Sequence, residues 1–258
     1  SVWQGQIPDN ATEAQDFVIA AGMTPVFEDT IRLNDLHIQQ GADLYLEEGA
    51  VMCLEGQFYG DTVKINGPGE LLLTNGENQD LEGVLSLEGV IRLKNATQLG
   101  SNGKLLLKDG ASLLQDLGTL VQGDVLLEKV GTSDANTYNF WSSPVENMHT
   151  NNFFVGTVAN NVYRYDAQNQ VWDSFEGTME IAVGYAGTGR LNGESLRKFT
   201  GTLNQGGTAA FTEQGWNLVG NPFPSRLDVA AFLEFNNFSI SNAVYLWDGT
   251  NGGYAVYN

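Results

Sequence analysis

Alternating apolar and polar positions run through the first half of the chain as one recurring phrase, apolar-x-apolar-x-x-Gly. It reads F-V-I-A-A-G (17–22), L-H-I-Q-Q-G (36–41), L-Y-L-E-E-G (44–49), L-L-L-T-N-G (71–76) and L-L-L-K-D-G (105–110). Versions one residue shorter are V-K-I-N-G (63–67) and L-S-L-E-G (85–89). A period of two puts both apolar side chains on one face of a short strand, and the glycine permits the turn that follows. Gly83, Gly103 and Gly123 lie 20 residues apart, each just before another such strand, and the pair Leu36/Leu44 recurs as Val63/Leu71 at an offset of 27. Repetition at 20 to 27 residues predicts a parallel β-solenoid, each coil lying on the one before. Strands would pair about 4.8 Å from the coil below, so that about five coils make a prism about 25 Å long. Leu85, Leu105 and Val125 would form one interior column and Leu87, Leu107 and Leu127 another. An ordinary sandwich of hairpins is the alternative, and the fixed glycine spacing favours the solenoid.

The second half changes rhythm. Strand-like segments fall at 161–165, 171–175, 180–185, 198–203, 215–220, 243–247 and 253–257, with hairpin turns in D-A-Q-N-Q (166–170) and D-G-T-N-G-G (248–253). A short helix is predicted over 228–235, with Asp228 as its N-cap and Val229, Phe232 and Leu233 as its buried face. This pattern predicts an antiparallel β-sandwich, so the fold class is all-β: a short parallel β-solenoid (β-helix) followed by a sandwich.

Composition sharpens the division. Of 27 aromatic residues only six fall within 1–132, and none lies between Gly60 and Thr137. A narrow coil fed from all sides suits aliphatic residues, whereas a sandwich lacking disulfides fills its core with rings. The abrupt shift marks a boundary in G-T-S-D-A-N (131–136). Residues 1–132 are expected to form the solenoid with an N-terminal cap, and 133–258 the aromatic-rich sandwich.

Thirty-one acidic residues against twelve basic ones give a formal charge of -19. Such a field repels phosphate backbones and anionic lipid heads, so nucleic acid and membrane insertion are not expected. No apolar run approaches the roughly 20 residues of a membrane helix. The start, S-V-W-Q-G-Q, has neither the basic nor the apolar region of an export signal, which leaves such a signal already removed or never there. Cys53 in V-M-C-L is the one cysteine and reads as a small hydrophobe in a strand.

Candidate chemistry is sparse. V-G-Y-A-G-T-G-R (183–190) has neither phosphate-loop glycine order and reads as a glycine-rich hairpin. His37 and His149 sit in different halves without metal-ligand spacing. Glu47, Glu48, Asp109 and Glu128 fall on outward or turn positions of the coils, where a solvated acidic face accounts for them better than paired glycosidase carboxylates. No catalytic residue, metal site or cofactor is therefore expected, although loop acids such as Asp166 and Asp173 leave room for loosely bound calcium. In G-W-N-L-V-G-N-P-F-P-S (215–225), Trp216, Leu218 and Phe223 could alternate into a core, while Asn221 before Pro222 ties a turn; the stretch reads as a structural corner. Most rings of the second half are expected in the core. Trp172 and Trp247, beside hairpin turns and next to Asp173 and Asp248, are the candidates for stacking on a sugar.

Y-N-F-W-S-S-P-V (138–145), V-Y-R-Y-D…V-W (162–172), A-V-G-Y (182–185), the 215–225 stretch and A-V-Y-L-W (243–247) follow one another in an order that resembles modular secreted surface proteins of Bacteroidota, exported by the type IX secretion system. The opening V-W-Q-G-Q-I-P-D-N-A-T-E-A-Q-D-F-V-I (2–19) also resembles the tryptophan-containing lead into a β-helical segment of such proteins. The family's usual Gly-Lys-Gly-Tyr is here Ala182-Val183-Gly184-Tyr185, and its C-terminal sorting domain is missing. The resemblance implies an extracellular, cell-surface location and a fragment or processed piece of a longer adhesive or carbohydrate-active protein; it implies no activity for this module. The expected role is a non-enzymatic structural or adhesion segment, with a carbohydrate-binding module as the alternative. Expected partners are other domains of the parent protein, and then glycans or cell-surface components.

Overall fold

The computed structural model describes residues 14–158, 161–205, 215–241, 243–249 and 251–258. The predicted N-terminal cap and the tryptophan-containing opening fall largely outside them, at residues 1–13. The chain divides into two compact units, Ser1–Glu128 with Thr200–Leu203, and Lys129–Phe199 with Asn204–Asn258.

The first unit is the β-solenoid. One sheet joins, in order, the strands Gln15–Ile19, Ile31–Ile38, Val51–Leu54, Glu70–Leu73, Val90–Leu93 and Ser112–Gln115. A second joins Val26–Phe27, Leu44–Leu46, Thr62–Asn66, Val84–Leu87, Leu105–Leu107 and Asp124–Val130, and Leu196–Thr202 follows at its end. Asn78–Asp80, Gln98–Gly100 and Leu120–Gln122 add a third face to the last three coils. Six strands in line in each main sheet make six coils, one more than the repeat spacing predicted.

The expected offset of 27 is also corrected. Leu36 pairs in register with Phe58 and Leu44 with Ile65, steps of 22 and 21 residues. The strand–glycine–strand phrase occurs at more than one corner of a coil. Leu36/Leu44 turns one corner and Val63/Leu71 another, so matching the two phrases overshoots a coil.

Register along the second sheet places Val63, Leu85, Leu105 and Val125 in one column and Ile65, Leu87, Leu107 and Leu127 in the next. All eight are buried. Burying each such side chain contributes about 1.5–3 kcal/mol, so the stack is the main source of this unit's stability. The first coils do admit rings, since Phe27 and Phe58 are buried there, whereas the last three coils are packed with aliphatic side chains. The evenly spaced glycines serve two ends. A Cβ on Gly83 would meet the Asp61 carbonyl oxygen at 1.7 Å, which makes close approach of the chains the constraint. Gly103 and Gly123 each have φ of +77°, a conformation that L side chains rarely adopt.

Outward side chains pair from coil to coil. Arg92 Nε donates to Glu70 at 2.8 Å and Lys108 Nζ to Glu128 at 2.9 Å. Glu128 is thus buried and paired rather than solvated as its outward position predicted, because Lys108 lies directly across the ladder in the preceding coil.

The second unit is antiparallel. Tyr138–Trp141, Tyr185–Thr188, Val162–Asp166 and Val171–Ser174 form one sheet in that order, and Val244–Asp248 pairs with Gly253–Tyr257 as a separate hairpin. Pairing sorts the sheet into two faces. Trp141 lies opposite Tyr185, and that face packs on Phe153, Phe154 and Phe175. Phe140 lies opposite Ala186, which also pairs with Tyr163, and this face meets the hairpin through Trp247.

Three local predictions are corrected. Residues 183–190 are not a glycine hairpin: Tyr185–Thr188 is a fully buried central strand, and Gly187 is needed because a Cβ there would sit 2.2 Å from the Phe154 ring. Residues 180–184 accordingly lie outside the strand predicted for 180–185. Residues 215–220 form no strand, since only the isolated bridge Val183↔Val219 pairs them and the prolines beyond offer no N–H to a ladder. The helix Val229–Phe235 is present, with the Asp228 carboxylate accepting from the Ala231 N–H; of its predicted buried face, only Leu233 is fully covered.

Candidate functional site

The phrases that stand out in the second half meet at one corner. The Gly184 N–H donates to the Leu218 carbonyl and the Gly220 N–H to that of Ala182, each at 3.1 Å. A Cβ on Gly220 would come within 2.1 Å of Ser142, and one on Gly184 within 2.5 Å of Leu218. Asn204 Nδ2 donates to the carbonyls of Ser143 and Pro222, at 2.9 and 3.0 Å. Asn221 closes its own turn: its Oδ1 accepts from the Phe223 N–H and its Nδ2 donates to the Ser225 carbonyl. W-S-S-P, A-V-G and W-N-L-V-G-N-P-F are thereby drawn together by backbone approach.

The antiparallel unit also holds a buried cation. The Arg197 guanidinium donates to the Phe153 and Thr188 carbonyls and to Thr157 Oγ1, and lies over the rings of Phe153 and Phe154. Burial, and then the charge of Arg190, push its pKa down to about 10. Burial also raises the phenol pKa of Tyr185, whose oxygen accepts from the Glu180 N–H. These groups serve packing.

Trp172 and Trp247 are brought together through Phe140. Trp247 stacks on the Phe140 ring at 5.7 Å and 21°, and Trp172 is tilted against it at 5.6 Å. The Trp247 indole N–H donates to the Tyr138 carbonyl at 2.9 Å, and Tyr254 meets its ring edge-on at 5.2 Å. Trp247 is therefore largely engaged by its neighbours, whereas Trp172 is 42% exposed and Tyr254 54%.

A second pair was not singled out from the sequence. Trp216 is 58% exposed, opposite to its predicted inward place, and contacts Tyr245, which is 42% exposed, at 4.8 Å. The outward pose has a cause. Gln170 Oε1 accepts from the Trp216 N–H at 2.7 Å while its Nε2 donates to the Trp216 carbonyl at 3.1 Å and to that of Ala167. The primary amide thus imitates a neighbouring strand. Gly215, at φ +88°, leaves room for it, since a Cβ there would meet Gln170 at 2.5 Å. Phe223, predicted inward as well, is exposed. The core that these residues were expected to enter is filled by Phe153, Phe199, Tyr185 and Arg197.

The loop acids have local work. Asp166 accepts from the backbone of Gln168 and Asn169 and from Asn169 Nδ2; Asp248 accepts from Asn251 in the same way, so both hairpins close on Asp-x-x-Asn. Asp173 stands exposed on the edge strand. His149 caps the short helix Thr150–Phe153, and His37 stacks on Tyr59 at 4.4 Å. No group of three or more His, Cys, Asp or Glu placed to hold a metal occurs among the described residues.

A family model described as a domain of unknown function (DUF8693) matches residues 80–257, which take in the last coils of the solenoid and the antiparallel unit. No curated protein and no solved structure matches the chain.

Proposed function

The chain belongs to the DUF8693 domain family, of unknown function, and from that premise we propose that it is a non-catalytic structural or adhesion segment of a larger secreted cell-surface protein. The uninterrupted register of the aliphatic columns through successive coils carries this reading. A ladder in which every coil is paired to its neighbours resists bending and local opening, which is what a spacer between a surface and its target needs. The charge of -19 suits a displayed segment, because like-charged copies repel one another. The phrases W-S-S-P-V and W-N-L-V-G-N-P-F-P-S support export by the type IX route. Antibody labelling of intact producing cells tests the placement, and a strain lacking the segment tests the role. Labelling without permeabilisation, with attachment reduced and growth unchanged, is expected. Labelling only after permeabilisation, or turnover of a glycoside or ester substrate by the purified chain, overturns the proposal.

A second reading, a carbohydrate-binding module, is favoured by one observation. Five exposed Trp or Tyr rings stand on the antiparallel unit among the described residues: Trp172, Trp216, Tyr245, Tyr254 and Tyr257.

A further inference from the structure

We infer that Trp172, Trp216, Tyr245 and Tyr254 form a binding surface for a neutral, β-linked polysaccharide chain, with Gln170 as the positioning residue; this rests on the carbohydrate-binding reading. The rings form one connected set. Trp172 contacts Phe140, Phe140 stacks on Trp247, and Trp247 meets Tyr254. Tyr245 and Trp247 alternate along the strand Val244–Asp248 and so share its face with Tyr254, the cross-strand partner of Trp247. Trp216 packs on Tyr245, and the amide that grips Trp216 belongs to Gln170, two residues before Trp172. The circuit closes on itself.

Ring chemistry and charge select the ligand. The exposed groups are indoles and phenols, which present an apolar face for stacking and a polar edge for hydrogen bonds. The axial C–H face of a β-linked pyranose offers the complementary surface, and its hydroxyls reach the phenol edges. An anionic polymer would meet the field of a chain at -19, and so would a second copy of this chain. A neutral glycan meets no such barrier. The Gln170 amide holds the Trp216 backbone by two hydrogen bonds, which fixes the point from which the ring projects.

Titration of the full chain with cellohexaose, xylohexaose, mannohexaose and chitohexaose, read by tryptophan fluorescence and calorimetry, tests the assignment. Saturable binding to at least one is expected, unchanged between low and high salt. Trp172→Ala and Trp216→Ala should each weaken it about tenfold, the scale of losing one aromatic anchor. Gln170→Ala should weaken it while circular dichroism stays native, and Phe235→Ala, an exposed ring on the helix, should leave it unchanged. Binding that survives both tryptophan substitutions overturns this surface while the carbohydrate reading stands. Absence of binding to all four sugars overturns both. Capture of a protein partner by the same rings, in place of sugar, overturns the ligand class.

Discussion

Gln79 is the clearest flaw in the solenoid's interior, and replacing it is a sharp test of how the coils are held. Its side chain is 1% exposed, and neither Oε1 nor Nε2 has a hydrogen-bond partner. In the same inward column stand Leu99 and Val121, its register partners in the next two coils, both buried. Leaving a buried amide unsatisfied costs about 1–3 kcal/mol for each group. Gln79→Leu removes two such groups and extends an aliphatic column with a residue of similar size. A net stabilisation of about 2 kcal/mol is a conservative sum, because the new methyl groups need some repacking. For a chain of this size that corresponds to roughly 4–8 °C in Tm. Because this half is poor in aromatic residues, far-UV circular dichroism in urea is the suitable readout. The midpoint should rise with no change in slope, since the surface exposed on unfolding is the same. A midpoint lowered by a similar amount would refute the reasoning, and would mean that the amide is solvated inside the coil and contributes to its stability.

Leu107→Ala, at the middle of the Leu87–Leu107–Leu127 column, should cost about 2–5 kcal/mol by the same urea assay, because both neighbours are held in register and cannot close the cavity. Gly83→Ala should prevent the coil from closing and abolish the cooperative transition, since its Cβ falls on a carbonyl oxygen, whereas Gly103→Ala, with nothing within 4 Å, should cost only about 1–2 kcal/mol for its left-handed backbone. Acid should destabilise the antiparallel unit: the Asp134 carboxyl is held low chiefly by the Asn136 N–H and then by Thr137, and that of Asp166 by Asn169. Depressed carboxyl pKa values contribute stability above the ordinary range near pH 4 that is lost as pH falls, so Asp166→Asn should flatten the acid limb of a stability–pH curve. The Tyr185 phenol runs the other way. Its raised pKa gives stability that is present below about pH 10 and lost as pH rises, and Tyr185→Phe should remove that part of the alkaline decline.

What was legible in the sequence follows from the range of the forces involved. The columns Leu85–Leu105–Val125 and Leu87–Leu107–Leu127 could be read because a solenoid makes neighbours in space of residues about 20 apart, and the pattern repeats within a short window. The two Asp-x-x-Asn turns and the Asp228 cap were readable for the same reason, each being closed by side chains two to three residues away. Trp216 was not. Its outward pose depends on Gln170, 46 residues earlier, and no local pattern distinguishes a tryptophan gripped by its backbone from one buried by its ring. Tyr245 could have been found, since A-V-Y-L-W places it on the Trp247 face. Residues 183–190 were misread because glycine serves a buried strand that must admit a ring as readily as it serves a turn. The pairing of Glu128 with Lys108 could have been found, since the predicted Leu107–Leu127 register already sets residues 108 and 128 side by side.

The glycines of the signature phrases and the exposed rings in the antiparallel unit obey different constraints. Gly184, Gly187 and Gly220 stand where any larger residue meets Leu218, Phe154 or Ser142 at 2.1 to 2.5 Å. Packing therefore accounts for these three glycines, and they carry no information about a ligand. Trp172, Trp216 and Tyr245 lie under no such demand. A ring that stays about half exposed contributes only part of its burial energy to the fold, and a polar residue of similar reach would stabilise the surface as well. Large apolar groups gathered on a surface call for a reason outside the monomer. Within the single stretch 215–225, Gly220 holds the shape of the corner while Trp216 stands outside it, so the exposed rings, and not the glycines, are the positions at which a binding role is tested.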